Sequence, residues 1–423
     1  MVNAELLPKR DYLELLKPEC MRLKNGRPMA LFHSKTTDIL KFDIMLPAGS
    51  AYQPKPLYTG MARDLFVTAS KAMSADKLAD YLDRRGIIID KQHSSTTVRI
   101  SAYFLKRYSE EFLPKLRQLF LEPAFPEDEY QVLKAKRRMS LMSNERKTNY
   151  VARNLFYGGL YGKEHPEGRY AEAGDEENLS LEEVKEYYKS RFKLGGALFV
   201  LSGNYDESTL RQIDGLFAQD IKAVYLPQYE FPATVTSGKY EPIHKKMPSS
   251  VQTTLRMGRL LPFDWRSQEY ARFQVLTTVL GGYLGSRLMS NIREEKGYTY
   301  GVYAATQAYN DSIVFYVTTD VGSELVEAAT KEIRKEMDRM ANELVPQEEL
   351  DVVCNYMAGD FLRSTDGVFE RSERYCQMEE NGMDERYTEN YLEALKSVKP
   401  LDLKDLAQKI LNADNLLMVS VGK

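Results

Sequence analysis

The sequence predicts an α+β protein made of two homologous domains. Three observations support this fold class. The first half interleaves strand-type alternation with helix-type periodicity, and the second half repeats several of its landmarks in the same order. A chain of 423 residues is also too long for one ordinary core.

Two strands and two helices are predicted early in the chain. Apolar and polar residues alternate in Asp38–Leu46 and again in Thr96–Leu105, as expected of strands with one covered face. Apolar residues at helical spacing in Ser74–Arg84 predict a helix between these strands, and a further helix is expected at Ser109–Leu121.

Capping signals mark the later elements of the first half. Pro126 precedes three acidic residues, which favour the first turn of a helix. Ser180 and Glu183 form a capping-box pattern before a helix that extends to about Phe192. The apolar run Ala197–Ser202 then predicts a buried strand.

The second half repeats these landmarks at nearly one spacing. Pro346, again followed by acidic residues, lies 220 positions after Pro126. A helix start at Asp402–Leu406 lies 222 positions after Ser180, and the strand Leu416–Val421 follows its counterpart by 219. Any single match is compatible with chance, but three in one order favour a duplication.

The duplication predicts where the chain divides. Residues 1–216 form the expected N-terminal α+β domain and residues 243–423 the C-terminal one. Residues 217–242 contain Pro227 and Pro232, as is typical of a connecting segment.

Composition excludes several classes of partner. Lys and Arg total 58 against 61 for Asp and Glu, so no basic excess predicts nucleic-acid binding. No run of 18 apolar residues predicts a membrane span, and Met1–Cys20 lacks the apolar block of a signal peptide. Cys20, Cys354 and Cys376 form no C-x-x-C pair and are expected to be reduced, packed thiols. We therefore expect a cytoplasmic protein.

Several common catalytic motifs are absent from the sequence. It contains no H-E-x-x-H or H-x-x-E-H zinc helix, no G-x-S-x-G elbow and no phosphate-binding glycine loop. No two histidines lie within one helical turn, so a surface or structural role is favoured over metal ligation for each of them. These are His33, His93, His165 and His244. The basic string Lys134–Arg138 is interpreted as a solvated helix face.

The segment Leu280–Tyr303 holds the densest local pattern. Its first part predicts a flexible loop and then a helix, which Gly297 ends before an aromatic strand that starts at Tyr298. The loop glycines are Gly281, Gly282 and Gly285.

Arg293 and Tyr300 are the candidate catalytic residues of this segment. A guanidinium and a phenol both donate hydrogen bonds, and together they could stabilise a carbonyl oxygen that gains negative charge. Judged by spacing alone, an ordinary ion pair for Arg293 and a packed ring for Tyr300 are favoured.

The chain resembles the insulinase/pitrilysin family of metallopeptidases, or inverzincins, over nearly its whole length. The matching motifs are Leu46–Ser50, His165-Pro166-x-Gly168 and the string from Leu280-Gly-Gly through Arg293 to Tyr300. The resemblance implies a metallopeptidase LuxS/processing-peptidase-like fold, in which each of the two domains is a mostly antiparallel sheet packed with helices. It also implies that Arg293 and Tyr300 clamp the substrate and stabilise the oxyanion, and that Gly281, Gly282 and Gly285 let a loop approach it.

The zinc helix of this family has no counterpart here. Where the family carries H-x-x-E-H, this chain has Gly60-Met-Ala-Arg63-Asp64, and the third ligand would fall near Leu141. We therefore expect no metal and no cofactor in this chain, with zinc held by a partner subunit.

The resemblance implies a zinc-free subunit of a heterodimeric metallopeptidase, inactive alone and similar to those of bacterial two-subunit, processing-peptidase-like proteases. Its partners would be a zinc-bearing H-x-x-E-H subunit and an unfolded peptide that adds a strand to a sheet edge. No nucleic acid or membrane partner is expected. The alternatives are a non-proteolytic structural or peptide-binding scaffold of the same fold and, less favoured, a hydrolase with an unrelated site.

Overall fold

A computed structural model describes residues 10–236 and 238–423. It confirms the predicted α+β class: two sheets, each mostly antiparallel, are packed with helices.

The first sheet has the strand order β1-β2-β6-β3-β5-β4, and only the β2–β6 pair is parallel. Its strands are β1 (Glu19–Arg22), β2 (Pro28–His33), β3 (Ile39–Leu46), β4 (Ile88–His93), β5 (Val98–Leu105) and β6 (Leu198–Gly203).

The second sheet repeats this arrangement without a counterpart of β1. Its strands are β7 (Ile243–Lys246), β8 (Gln252–Leu260), β9 (Val302–Ala308), β10 (Ile313–Gly322) and β11 (Leu417–Gly422). The order is β7-β11-β8-β10-β9, and the one parallel pair, β7–β11, corresponds to β2–β6. Because both strand order and direction recur, the two halves share one topology.

Helices cover both sheets. Those of the first half are α1 (Arg10–Leu15), α2 (Tyr58–Phe66), α3 (Ala75–Asp83), α4 (Ser109–Leu121), α5 (Glu127–Asn144), α6 (Thr148–Tyr161), α7 (Leu181–Arg191) and α8 (Glu207–Phe217). Those of the second half are α9 (Gln268–Thr277), α10 (Val326–Asn342), α11 (Gln347–Ser364), α12 (Val368–Glu380), α13 (Glu385–Ser397) and α14 (Pro400–Ile410).

The start of α7 follows the predicted capping chemistry. The Ser180 hydroxyl accepts a hydrogen bond from the Glu183 amide at 3.3 Å, and the Glu183 carboxylate accepts one from the Ser180 amide at 3.0 Å. The second-half counterpart begins earlier than the predicted Asp402, at Pro400, because proline suits the first helical position. Asp402 instead accepts a hydrogen bond from the Lys399 amide at 2.9 Å.

Each half supplies a helix to the sheet of the other. From α6, Phe156 and Leu160 pack against Leu260 and Val419 of the second sheet. From α12, 220 positions later, Val368 and Cys376 pack against the first sheet, at residues Ala30, Phe32, Met45 and Val200. The outer face of each sheet is therefore covered by the other half of the chain.

A buried charge network reinforces the contact of α12 with the first sheet. Lys41 lies 3.2 Å from Asp43 and 3.0 Å from Glu373 of α12. Arg99 lies 2.7 Å from Glu373 and 2.9 Å from Glu380. The Lys41, Asp43 and Arg99 side chains are buried, so the two carboxylates of α12 balance charge that water cannot reach.

The segment between the halves contains no helix or strand in its described part, residues 218–236 and 238–242. The domain boundaries at residues 216 and 243 stay a prediction. Within the described ranges, no helix combines the length and apolar character that a bilayer crossing requires.

The cysteine prediction is correct for two thiols and wrong for one. Cys354 and Cys376 are buried free thiols, whereas Cys20 is exposed. Cys20 lies in the short edge strand β1, most of which faces solvent.

Candidate functional site

The candidate segment contains two π-helical stretches joined by a turn. They are Thr278–Gly282 and Met289–Glu295. The predicted strand start at Tyr298 is wrong, because β9 begins at Val302. The Thr299 hydroxyl donates to the Asp320 carbonyl at 2.7 Å and accepts from the Gly301 amide at 3.1 Å, which holds residues 298–301 in a turn.

Arg293 and Tyr300 lie on either side of this helix end. Arg293 is exposed in the last turn of the second π-helical stretch, and the Tyr300 side chain is 91% exposed. No hydrogen bond or ion pair connects either side chain to another described residue. The ordinary alternative, an ion-paired arginine beside a packed tyrosine, is therefore not what the structure contains. The catalytic role itself stays a prediction.

Buried contacts fix the helix that carries Arg293. The neighbouring Ile292 is buried in the second core. The Asn291 side-chain amide donates to Glu336 at 2.7 Å and to Glu332 at 3.0 Å, both on α10. Because both residues before it are anchored, the backbone of Arg293 has a defined position while its side chain remains in solvent.

The three glycines differ in their surroundings. Gly281 is buried, and a Cβ atom there would lie 2.6 Å from the Ala304 amide nitrogen of β9. Its lack of a side chain therefore allows close packing against a strand. Gly282 and Gly285 are exposed, as is the intervening Leu284. A substrate contact for Gly281, Gly282 and Gly285 stays a prediction.

The region aligned with the family's zinc helix holds arginines. It lies in α2, where the Arg63 guanidinium donates to the Asp64 carboxylate at 2.9 and 3.0 Å. Arg137 of α5 donates to the same carboxylate from the other side. Asp64 is thus shared between two cations, so its charge is already neutralised.

His93 completes this cluster, which we call the arginine cluster: Arg63, Asp64, His93 and Arg137. The Arg63 guanidinium donates to His93 Nδ1 at 2.8 Å, which requires that nitrogen to be unprotonated. Desolvation by surrounding atoms, followed by the nearby charge of Arg63, lowers the pKa of His93. The imidazole is therefore neutral at physiological pH.

The arginine cluster does not fit a zinc ion. Zinc sites need three or four histidine, cysteine or carboxylate ligands, and no group of three such side chains with metal-binding geometry occurs within residues 10–236 and 238–423. Two guanidiniums would also repel a divalent cation. Leu141, near the expected third ligand, is a buried apolar residue.

Sequence reasoning missed this cluster. The signal for it was present, because Arg137 belongs to the basic string Lys134–Arg138 that we interpreted as a solvated face. The spacing between α2 and α5 gave no indication that Arg137 would reach Asp64, since that contact depends on how the two helices pack.

Sheet edges lie beside both regions. β4 forms one edge of the first sheet and ends at His93, and β9 forms one edge of the second sheet and begins two residues after Tyr300. Unpaired backbone groups of such strands can accept an extended peptide.

A sequence comparison matches a central part of the chain, from just before α7 into α11. Residues 178–357 match the family model described as the peptidase M16 inactive domain. The predicted family resemblance is thereby confirmed. The matched M16 range includes Arg293, Tyr300 and the three glycines.

Proteins similar in sequence to this chain carry differing names. The Helicobacter pylori protein named "Non-peptidase homolog YmxG" is 25% identical over 301 residues, which cover 69% of this chain and 67% of that protein. A Rickettsia felis protein named "Uncharacterized zinc protease" is 23% identical over 407 residues, which cover 93% of this chain and 94% of the relative.

Solved structures share the fold. The crystal structure of a peptidase M16 inactive domain from Pseudomonas fluorescens matches with a TM-score of 0.83 at 19% identity, over 96% of this chain and 98% of the other. A structure described as a protease from Helicobacter pylori matches with a TM-score of 0.82 at 16% identity, over 99% and 100%. Both solved structures therefore share the fold of this chain, and the family model matches its residues 178–357.

Proposed function

We propose that this chain is the zinc-free subunit of a heterodimeric metallopeptidase that acts on unfolded peptides. In this proposal, Arg293 and Tyr300 stabilise the transition state of peptide hydrolysis at a site completed by a zinc-bearing partner. The partner supplies the zinc ion and the general base, so this chain is inactive alone.

The exposure of Arg293 and Tyr300 supports this proposal most directly. A guanidinium that pairs with no carboxylate of the described residues, and a phenol ring almost fully in solvent, contribute little to the stability of the chain itself. Both sit next to a rigid helix end, where a second protein could approach them. Side chains that are exposed on an anchored backbone are suited to contacts with a partner or substrate.

The chemistry of the pair fits an oxyanion site. Peptide hydrolysis passes through a tetrahedral intermediate whose oxygen carries negative charge. Arg293 would donate charged hydrogen bonds to this oxygen or to the substrate backbone, and Tyr300 would donate its phenolic proton as a neutral hydrogen bond. Removing one such donor typically costs about 10²–10³ in kcat.

The peptide would bind as an added strand at a sheet edge, with β9 the nearest edge to Tyr300. Main-chain hydrogen bonds would then provide most of the affinity, with little sequence selectivity. The buried free thiols Cys354 and Cys376 are compatible with a reducing compartment, and we place the heterodimer in the cytoplasm.

A second candidate function is a non-proteolytic scaffold that binds peptides or proteins. It is favoured by the name of the Helicobacter pylori relative, "Non-peptidase homolog YmxG". A scaffold would use the same exposed surface for binding but would not accelerate hydrolysis with any partner.

The test is reconstitution with an H-x-x-E-H protein of similar length encoded in the same genome. Arg293→Ala and Tyr300→Phe are measured beside Arg211→Ala and Tyr225→Phe, which alter an exposed arginine and an exposed tyrosine elsewhere. Peptide cleavage by the pair is expected to fall about 100-fold for Arg293→Ala and about 10-fold or more for Tyr300→Phe. The two control variants are expected to retain full activity.

Three results would contradict the proposal. The isolated chain could bind one equivalent of zinc and cleave peptides, or Arg293→Ala could leave the activity of the pair unchanged. A pair that forms but hydrolyses no unfolded peptide would favour the scaffold instead. Matched melting temperatures of all four variants would establish that a lost activity does not reflect lost folding.

A further inference from the structure

A cavity of about 560 Å³ lies between α6, the second sheet and the turn after α6. Aromatic and basic side chains dominate its walls. They include Tyr157, Tyr309, Tyr316, Arg153 and Arg256, and the acidic residue Glu167 also lines the cavity. None of the residues that line the cavity belongs to the region aligned with the zinc helix, and neither Arg293 nor Tyr300 lines it.

Arg256 is the central charge of this cavity. It comes from β8, and its side chain is only 8% exposed. Its Nε atom has no hydrogen-bond partner, and no described carboxylate forms an ion pair with its guanidinium. The guanidinium stacks on the Tyr316 ring at 4.0 Å and lies 5.4 Å from the centre of the Tyr157 ring. These rings stabilise a cation but leave its N–H donors unused.

The duplicated sheet offers an internal comparison. Arg256 pairs with Val419 in the second sheet, and Asp43 pairs with Val200 at the corresponding place in the first. In the covering helices, Arg153 of α6 corresponds to Glu373 of α12, 220 positions later.

The two equivalent places differ in charge balance. In the first half, the acids Asp43 and Glu373 meet Lys41 and Arg99, and the space is closed by ion pairs. In the second half, both acidic positions are arginines. Buried Arg256 and exposed Arg153 therefore adjoin a cavity without the carboxylates that the first half provides at the equivalent positions.

Glu167 does not supply that anion. It lines the same cavity, but it forms no ion pair with either arginine within 4.0 Å among the described residues, and its Oε1 atom has no hydrogen-bond partner. Burial raises the pKa of this carboxyl group, which favours its neutral form. Because Glu167 forms no ion pair with Arg256, it leaves the charge of that guanidinium uncompensated among the described residues.

We propose that this cavity binds a small organic anion whose carboxylate or phosphate group lies on Arg256 and Arg153, with its organic part against the tyrosine rings. The fork of N–H groups on Arg256 matches two oxygens of either anion. The cavity volume lies in the range of small-molecule sites rather than of a bound polypeptide chain.

Calorimetric titration of the full chain tests the charge requirement. The probes are N-acetyl-L-phenylalanine, its uncharged amide N-acetyl-L-phenylalaninamide, and phenyl phosphate. We expect one or both anions to bind and the amide to bind at least 10-fold more weakly. The comparison between the carboxylate and phosphate probes distinguishes the two sources of the anionic group.

Arg256→Met tests the site, with Arg259→Met as its matched control. Arg259 is a buried arginine of the same strand, but it donates to the carbonyls of Leu260 and Thr236. Anion binding should fall at least 10-fold in Arg256→Met and stay within twofold of the unaltered chain in Arg259→Met. Arg153→Gln, at an exposed position, should weaken anion binding about threefold or more. This variant tests the proposed site if Arg256→Met does not fold.

The proposal is overturned if neither anion binds, if the amide binds as tightly as the acid, or if both buried-arginine variants lose binding equally. Arg293→Ala should leave anion binding unchanged, so this test does not depend on the peptidase proposal.

Discussion

Glu373 shows how one side chain joins the two halves. It belongs to the second half, yet it contacts Lys41 and Arg99 of the first sheet at 3.0 and 2.7 Å. Both cations are buried, so loss of the carboxylate would leave them dependent on Asp43 and Glu380. An isolated surface ion pair contributes little to stability, whereas breaking a buried one is costly.

Glu373→Gln should therefore destabilise the protein by about 2 kcal/mol, less than the full cost of a broken buried pair because other acids remain. The matched control is Glu370→Gln, an exposed position on the same helix, which should change stability by less than about 0.5 kcal/mol. Chemical denaturation at neutral pH measures both. Equal effects of the two variants would contradict the role assigned to the buried network.

The same residue predicts a dependence on pH. Burial opposes ionisation of Glu373, but Arg99 and Lys41 outweigh that effect and lower its pKa from 4.5 to about 2. The unfolded chain thus binds this proton first as the pH falls, so the stabilisation is complete above pH 4.5 and lost between pH 4.5 and 2. When the free energy of unfolding is measured across this pH window, it should depend less steeply on pH in Glu373→Gln than in the unaltered protein. An unchanged slope would exclude Glu373 as a source of the acid sensitivity.

At the scale of elements, Gly281 joins a π-helical stretch to β9. A Cβ atom there would lie 2.6 Å from the Ala304 amide nitrogen and 3.1 Å from Leu288 Cδ1. Gly281→Ala should therefore destabilise the protein by about 1–3 kcal/mol through overpacking. Gly359→Ala is the control, because its Cβ would meet nothing within 4 Å in the middle of α11, and it should stabilise by about 0.5–1 kcal/mol. The packing argument is refuted if Gly281→Ala and Gly359→Ala change the melting temperature in the same direction and by the same amount.

Elements with local signals could be predicted from the sequence. The capping residues Ser180 and Glu183 indicated α7, and alternation indicated β3 and β5, because these patterns depend on nearby residues. The π-helical stretches could not be predicted, since a period of 3.6 residues does not distinguish them from α-helix. The strand start at Tyr298 was predicted wrongly because the conformation of this segment depends on a distant contact. The Thr299 hydroxyl donates to the carbonyl of Asp320, which lies on β10.

Contacts distant in sequence limited the prediction of the candidate sites. The positions of Arg293 and Tyr300 along the chain were clear from the motif, but their exposure depends on packing of Ile292 and Asn291 against distant helices. The unpaired charge of Arg256 became visible only when α6 was placed on the second sheet.

At the scale of the whole molecule, the two halves are held together because α6 packs on the second sheet and α12 packs on the first sheet. Separating the halves would expose the apolar contacts of Phe156 and Val368 and would separate Arg99 from Glu373. We therefore expect the two halves to unfold as one cooperative unit.

Cutting the connection tests this cohesion. A protease site inserted after Ala233, an exposed residue in that segment, should yield two fragments that still elute together under native conditions and unfold in one transition. Refolding of the cut protein should become dependent on concentration, because reassociation is then bimolecular. The uncut chain is the control and should refold independently of concentration. Fragments that elute separately, or two resolved transitions in the cut protein alone, would mean that the exchanged helices do not hold the halves together.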